Sequence, residues 1–100
     1  MIVVEFAPRV SEDFARIRDH LAQTQASNIA GRLDSIVDAC AILEEHPLIG
    51  RRVPGQLREL VIGSGSWGYM ALYRYAPEVE LVMIVAVKAQ SEGGYRGFGE

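Results

Sequence analysis

Leu81–Val87 is an unbroken apolar run, rich in valine and isoleucine and bounded by charge on both sides. It is too short to span a bilayer and fits a strand covered on both faces, at the centre of a sheet. Just before it, Tyr69, Ala71, Tyr73 and Tyr75 alternate with Met70, Leu72 and Arg74, the period of a strand with two unlike faces. Ala76-Pro77-Glu78 between the runs is turn material, with Pro77 suited to the second turn position. The two runs predict a β-hairpin onto which the rest of the chain packs.

Earlier in the chain, Ile2–Phe6 reads as a short strand stopped by Pro8, which cannot donate to a ladder. Ser11 before Glu12 and Asp13 has the pattern of a helix N-cap followed by acids at the positive end of the dipole. Phe14, Ile17 and Leu21 then recur at helical spacing, with Asp13, Arg16, Asp19 and Gln23 turned elsewhere, predicting an amphipathic helix over 11–24. After a polar link, Ser27 is placed to cap a second helix, whose stripe of Ile29, Leu33, Ile36, Val37, Cys40 and Leu43 runs out to Glu45. Gly31 within it points to close approach of the two helices. His46-Pro47 ends it, because the residue before proline avoids helical backbone. Leu48–Gln56 reads as an ordered loop, Leu57–Ile62 as a strand, and the glycine-rich Gly63–Gly68 as a connection into the hairpin. The order strand-helix-helix-strand-strand-strand predicts a single α+β domain over residues 1–100.

Composition narrows the possibilities. The single cysteine, Cys40, excludes an internal disulfide and suggests a reducing compartment. With no basic leader and no long apolar segment, neither a secretory signal nor a membrane helix is expected, and the cytoplasm is the expected location. A net charge of −3 argues against a protein built to grip nucleic acid nonspecifically. The charge is uneven, with an acidic first half and a slightly basic second half carrying Arg51, Arg52, Arg58, Arg74, Lys88 and Arg96.

Candidate chemistry is sparse. His20 and His46 lie on different elements with no ligand cluster around either, so no metal and no cofactor is expected. Cys40 sits on the apolar stripe as a small hydrophobe. The Gly63–Gly68 stretch lacks the lysine of a phosphate loop and leads into a strand, and no catalytic set is assigned. Arg58, Arg74 and Lys88 fall on or beside three successive strands, where one concave patch could gather them with tyrosines to meet phosphates or bases. A solvated sheet face with salt bridges would carry the same residues.

Several segments, in order, resemble the ParE/RelE superfamily of bacterial toxins, and more closely its ParE-like (plasmid stabilisation) branch. The resemblance rests on Ala7-Pro8 with Asp13-Phe14 and Ile17, then Ala30 with Arg32-Leu33, then Leu43, His46-Pro47 and Gly50-Arg51. Leu57-Arg58-Glu59-Leu60-Val61 and Tyr69 through Tyr73-Arg74-Tyr75 complete it. It implies a helical hairpin on one face of a small, mostly antiparallel sheet. It also implies a type II toxin bound and neutralised by a cognate antitoxin in a hetero-oligomer that can engage operator DNA. ParE-like relatives inhibit DNA gyrase, whereas RelE-like ones cut mRNA on the ribosome without metal. Without a histidine in the second half to move a proton, the gyrase-inhibiting reading is favoured. Arg58, Arg74, Lys88, Tyr95 and Arg96 are then the expected target-binding residues, and Trp67, Met70 and Leu72 the expected antitoxin contacts. Ala89 and Ser91 stand where many relatives resemble one another in having histidine and arginine, which leaves room for a non-toxic member that retains only antitoxin binding.

Overall fold

A computed structural model describes residues 1–63 and 68–95. Among these, the elements run β1 (Val3–Phe6), α1 (Val10–Gln23), α2 (Ile29–Cys40), β2 (Arg51–Val53), β3 (Leu57–Ile62), β4 (Tyr69–Ala76) and β5 (Leu81–Ala89). The strands form one sheet in the order β1-β5-β4-β3-β2, antiparallel except for the parallel β1–β5 pair. Both helices lie on one face and bury Val10, Ile17, Leu21, Ile36 and Cys40 against Tyr69, Ala71, Tyr73, Val82, Ile84 and Val87. The α+β class and the helical pair on a mostly antiparallel sheet are as the sequence predicts.

The details differ in instructive ways. Part of the expected Leu48–Gln56 loop is a strand: Arg51, Arg52 and Val53 pair with Glu59, Arg58 and Leu57. The connecting Pro54-Gly55-Gln56 turn places Gly55 (φ 88°) and Gln56 (φ 60°) in left-handed backbone. A strand of three residues, two of them arginine, shows no alternation of its own and is made by its hairpin partner. Neither serine caps a helix. α1 starts one residue before Ser11, whose hydroxyl donates to the Pro8 carbonyl at 3.0 Å. α2 starts after Asn28, which itself takes left-handed backbone (φ 53°). A β-carbon on Gly31 would overlap the Asn28 side chain, so this glycine serves the helix entry rather than the expected helix–helix approach. α2 ends at Cys40, and one 3-10 turn, Ala41–Glu44, carries the chain to His46-Pro47.

β5 is not the central strand, and it is not covered on both faces by other elements. β4 holds the centre, and the outer face of β5 presents half-buried Leu81, Met83 and Val85. A β-bulge explains why the run lacks alternation. Leu72 pairs with Ala86 but Tyr73 with Ile84, leaving Val85 without a partner on β4. This one-residue slip puts Ile84 and Val87 on the same helix-facing side, although an odd separation would normally part them.

The slip also sets how α1 is fastened. β1 ends at Phe6, and the last backbone bond on that side is Ala7 N–H to the Ile84 carbonyl, 2.8 Å. Beyond it, the Val87 N–H donates to Asp13 Oδ2 at 3.0 Å, and the Val87 carbonyl accepts from Arg16 Nη2 at 3.1 Å. The Ala89 N–H donates to the Glu92 carboxylate at 2.9 Å. Arg16 joins the set, donating to Asp13 at 2.8 Å and to Glu92 at 2.9 Å. Burial pulls the Arg16 pKa down, but the two carboxylates more than reverse this and keep the guanidinium charged. Asp13, expected on the polar side of its helix, is 1 % exposed and helps complete the edge of the sheet. Cys40 is wholly buried, and burial pushes its thiol up to about 11, which leaves it inert at neutral pH.

Replacing Asp13 by alanine would leave the buried Val87 amide without a partner and Arg16 with Glu92 as its remaining carboxylate. Chemical denaturation should show Asp13→Ala destabilised by about 1–3 kcal/mol. The exposed neighbour Glu12→Ala should stay within about 0.5 kcal/mol of wild type. Equal, small effects at both positions would contradict the buried network.

Candidate functional site

The sheet face away from the helices gathers charge from four elements. Cross-strand register sets Arg51, Glu59, Leu72 and Ala86 in one row, and Val61, Met70 and Lys88 in the next. Glu59 lies at the centre and is 6 % exposed. Its Oε1 accepts from Arg51 Nε at 2.9 Å and pairs with Arg51 Nη2 at 2.6 Å, while its Oε2 accepts from the Tyr95 hydroxyl at 2.5 Å. Lys88 is 7 % exposed, donates to the carbonyls of Glu92 (3.2 Å) and Ala89 (3.4 Å), and lies 5.4 Å from the centre of the Tyr95 ring.

The tail Glu92–Tyr95 is therefore a strap held at both ends. Glu92 grips Arg16 and the Ala89 amide on the helix side, and Tyr95 grips Glu59 on the open face. Burial alone would raise the Glu59 pKa. Hydrogen bonds from Tyr95 and Arg51, with the charges of Arg51 and Lys88, outweigh it and hold the carboxyl below its ordinary range. Burial first, then the Glu59 hydrogen bond and charge, push the Tyr95 phenol far above its ordinary value.

The expected patch is only partly assembled. Lys88 and Tyr95 meet on the open face, and Arg74 stands exposed on the same side, with one long contact to the Gly55 carbonyl at 3.5 Å. Arg58 does not join them. It pairs with Tyr73, whose side chain is in the helix-side core, and donates to the carbonyls of Leu48 (3.1 Å) and Gly50 (2.9 Å). The Tyr73 hydroxyl donates to the Pro47 carbonyl at 2.7 Å and accepts from the Gly50 N–H at 2.9 Å. A β-carbon at Gly50 would sit 2.6 Å from the Tyr73 ring, so only glycine fits. Arg58 thus fastens the loop before β2, because it occupies the strand position whose side chain turns toward that loop. Of the expected antitoxin contacts, Met70 is half-buried on the open face and Leu72 is 3 % exposed. Trp67 and Arg96 lie outside the described residues.

Arg51 and Glu59 are functional candidates that only the structure brings together, although Pro54-Gly55 between them is a hairpin signal that sets them opposite each other. Among the described residues no group of three or more His, Cys, Asp or Glu could hold a metal.

The family described as "ParE toxin of type II toxin-antitoxin system, parDE" matches residues 4–93. Toxin RelE3 of Caulobacter vibrioides is 30 % identical over 79 residues, covering 79 % of this chain and 86 % of that protein. Among solved structures, a chain from the chromosomal ParDE toxin–antitoxin system of P. aeruginosa superposes with TM-score 0.70 at 18 % identity, covering 89 % of this chain and 96 % of that one. A chain of the intact E. coli RelBE toxin–antitoxin complex gives TM-score 0.58 at 17 % identity, covering 92 % and 100 %. These two likenesses establish the shared fold.

The lowered Glu59 pKa has a signed consequence. Its stabilisation is complete above the unfolded carboxylate value of about 4.3 and is lost as pH falls through the lower folded value. Melting curves between about pH 6 and pH 3 should show wild type more stable than Glu59→Gln, with the gap closing at the acid end. A gap that stays constant would mean the Glu59 carboxylate is not specially held.

Proposed function

This chain belongs to the ParE toxin family of type II toxin–antitoxin systems, and we propose that it acts by binding a protein target, DNA gyrase, rather than by cutting RNA. It is a toxin with an antitoxin as its partner. The observation that supports binding over catalysis is the engagement of the open-face groups by one another. A general base needs a lone pair within reach of the substrate proton. Both Glu59 oxygens are already engaged, by Arg51 and Tyr95, in a nearly dry setting. Lys88 is fixed on backbone carbonyls, and neither His20 nor His46 belongs to a strand.

What the open face offers outward is a binding surface. Arg51 and Arg74 project cations, and Val61 and Met70 lie beside them. In this reading those groups, with Lys88, Tyr95 and Arg96, meet the target, and Arg58 contributes by holding the loop that precedes Arg51. Trp67 and Met70 are kept as antitoxin contacts, whereas Leu72, buried in the sheet, is not open to a partner. No helix among the described residues is long and apolar enough to cross a membrane, and the cytoplasm, where gyrase works, is the proposed location. Operator DNA is the proposed further partner of the toxin–antitoxin complex.

A second reading, mRNA cleavage on the ribosome, has its own support in the relative named RelE3 and in the Glu59–Lys88–Tyr95 constellation. It requires the strap to lift so that Glu59 and Tyr95 are released. A plasmid supercoiling assay with purified DNA gyrase separates the readings. The folded chain should inhibit supercoiling, and Arg74→Glu should weaken the inhibition several-fold. Undisturbed supercoiling, with new 5′ ends inside coding sequences of translated mRNA after induction, would reject gyrase in favour of the ribonuclease.

A further inference from the structure

The β2 edge of the sheet carries arginine on both of its faces. Among the described residues β2 pairs with β3 alone, and its side chains alternate. Arg51 belongs to the open face, whereas Arg52 shares a row with Arg58 and with Tyr73, whose ring lies in the helix-side core. Arg52 and Arg58 are direct cross-strand partners. Like charges set opposite one another destabilise a sheet. Among the described residues neither guanidinium pairs with a carboxylate. Glu59, the next residue of β3, is turned to the other face and engaged by Arg51 and Tyr95. Arg58 donates to neutral carbonyls, which leave its charge uncancelled, and Arg52 is exposed.

Apolar side chains stand beside this pair. Arg58 Nη1 reaches the Leu48 and Gly50 carbonyls, which places residues 48–50 against the guanidinium. Leu48 is 58 % exposed and Ile49 53 %. The segment that presents them is held at both ends, because the Tyr73 hydroxyl bonds the Pro47 carbonyl and the Gly50 N–H. Charge on an edge strand guards it against pairing with another sheet, but that role does not call for exposed leucine and isoleucine alongside. Two cations beside two large apolar side chains suit a partner that is anionic and apolar together. A sugar-phosphate backbone would supply only the first, and a net charge of −3 does not favour one.

We propose that Arg52, Arg58, Leu48 and Ile49 dock an acidic segment of the protein target. One carboxylate bridges the two guanidinium groups, and a neighbouring apolar side chain packs on Leu48 and Ile49. The proposal rests on the reading that DNA gyrase is that target, and it adds a second contact region, reached from Arg51 around the edge of the sheet. A bridging carboxylate relieves the repulsion between Arg52 and Arg58, so the bound state gains from what weakens the free one.

The test measures the affinity of the full chain for purified DNA gyrase, with the melting temperature of each variant. Arg52→Glu lies at an exposed position and sets opposite charges across the strands. It should weaken gyrase binding by about tenfold or more. By exchanging repulsion for attraction it should also raise the melting temperature by a few degrees. Ile49→Ser should weaken binding several-fold, and Arg52→Lys should keep most of it. Arg18→Glu, the same change of charge at an exposed position of α1, should bind as wild type does. Arg52→Glu with wild-type affinity would show the docking site to be wrong while the gyrase reading stands. Equal weakening by Arg18→Glu would reduce the effect to net charge and overturn the site. Lost affinity together with a lowered melting temperature would make Arg52 a support of the fold instead. Binding of wild type to a free DNA duplex, abolished by Arg52→Glu, would assign the pair to phosphates and overturn an acidic protein partner. If wild type does not bind gyrase at all, the gyrase reading fails and takes the docking site with it.

Discussion

Where β1 stops, the amide of Val87 has no neighbouring strand, and the Asp13 carboxylate takes its place. Arg16 does the same for the Val87 carbonyl, and Glu92 for the Ala89 amide. A buried carboxylate is expensive unless it is paired and bonded, and here the pairing partner is itself bonded to the strand. The outcome is geometric more than energetic. α1 cannot slide along the sheet without breaking its bonds to both the amide and the carbonyl of Val87. The strap that follows β5 is tied to the same guanidinium. One network thus fixes the helix layer, the sheet edge and the tail.

The sequence displays the parts of this fold that follow a period. β4 alternates cleanly, and α1 and α2 carry apolar residues at helical spacing, so their existence and most of their bounds could be read directly. What could not be read depends on partners distant in the chain. β2 is a strand because β3 lies beside it. The unbroken apolar run of β5 conceals a bulge at Val85, which no window of sequence reports. Asp13 looked like a first-turn acid placed for the helix dipole, and only the ending of β1 gives it a buried role. Arg58 looked interchangeable with Arg74, yet strand register turns the two to opposite faces.

Pro47, Gly50, Arg58 and Tyr73 belong to the segments that carry the family resemblance, and they converge on one knot that closes the loop before β2. These residues specify the fold. In the function proposed, choice of target falls to the exposed positions of the other face, such as Arg74 and Val61, and to whether the strap stays down over Glu59 and Lys88.

The Asp13 side chain finishes the sheet through one hydrogen bond, and magnetic resonance can observe that bond itself. A scalar coupling across the hydrogen bond between the Val87 amide nitrogen and the Asp13 carboxyl carbon should be detectable in the isolated, isotope-labelled protein, with slow exchange of the Val87 amide. Absence of the coupling together with fast exchange of that amide would contradict it.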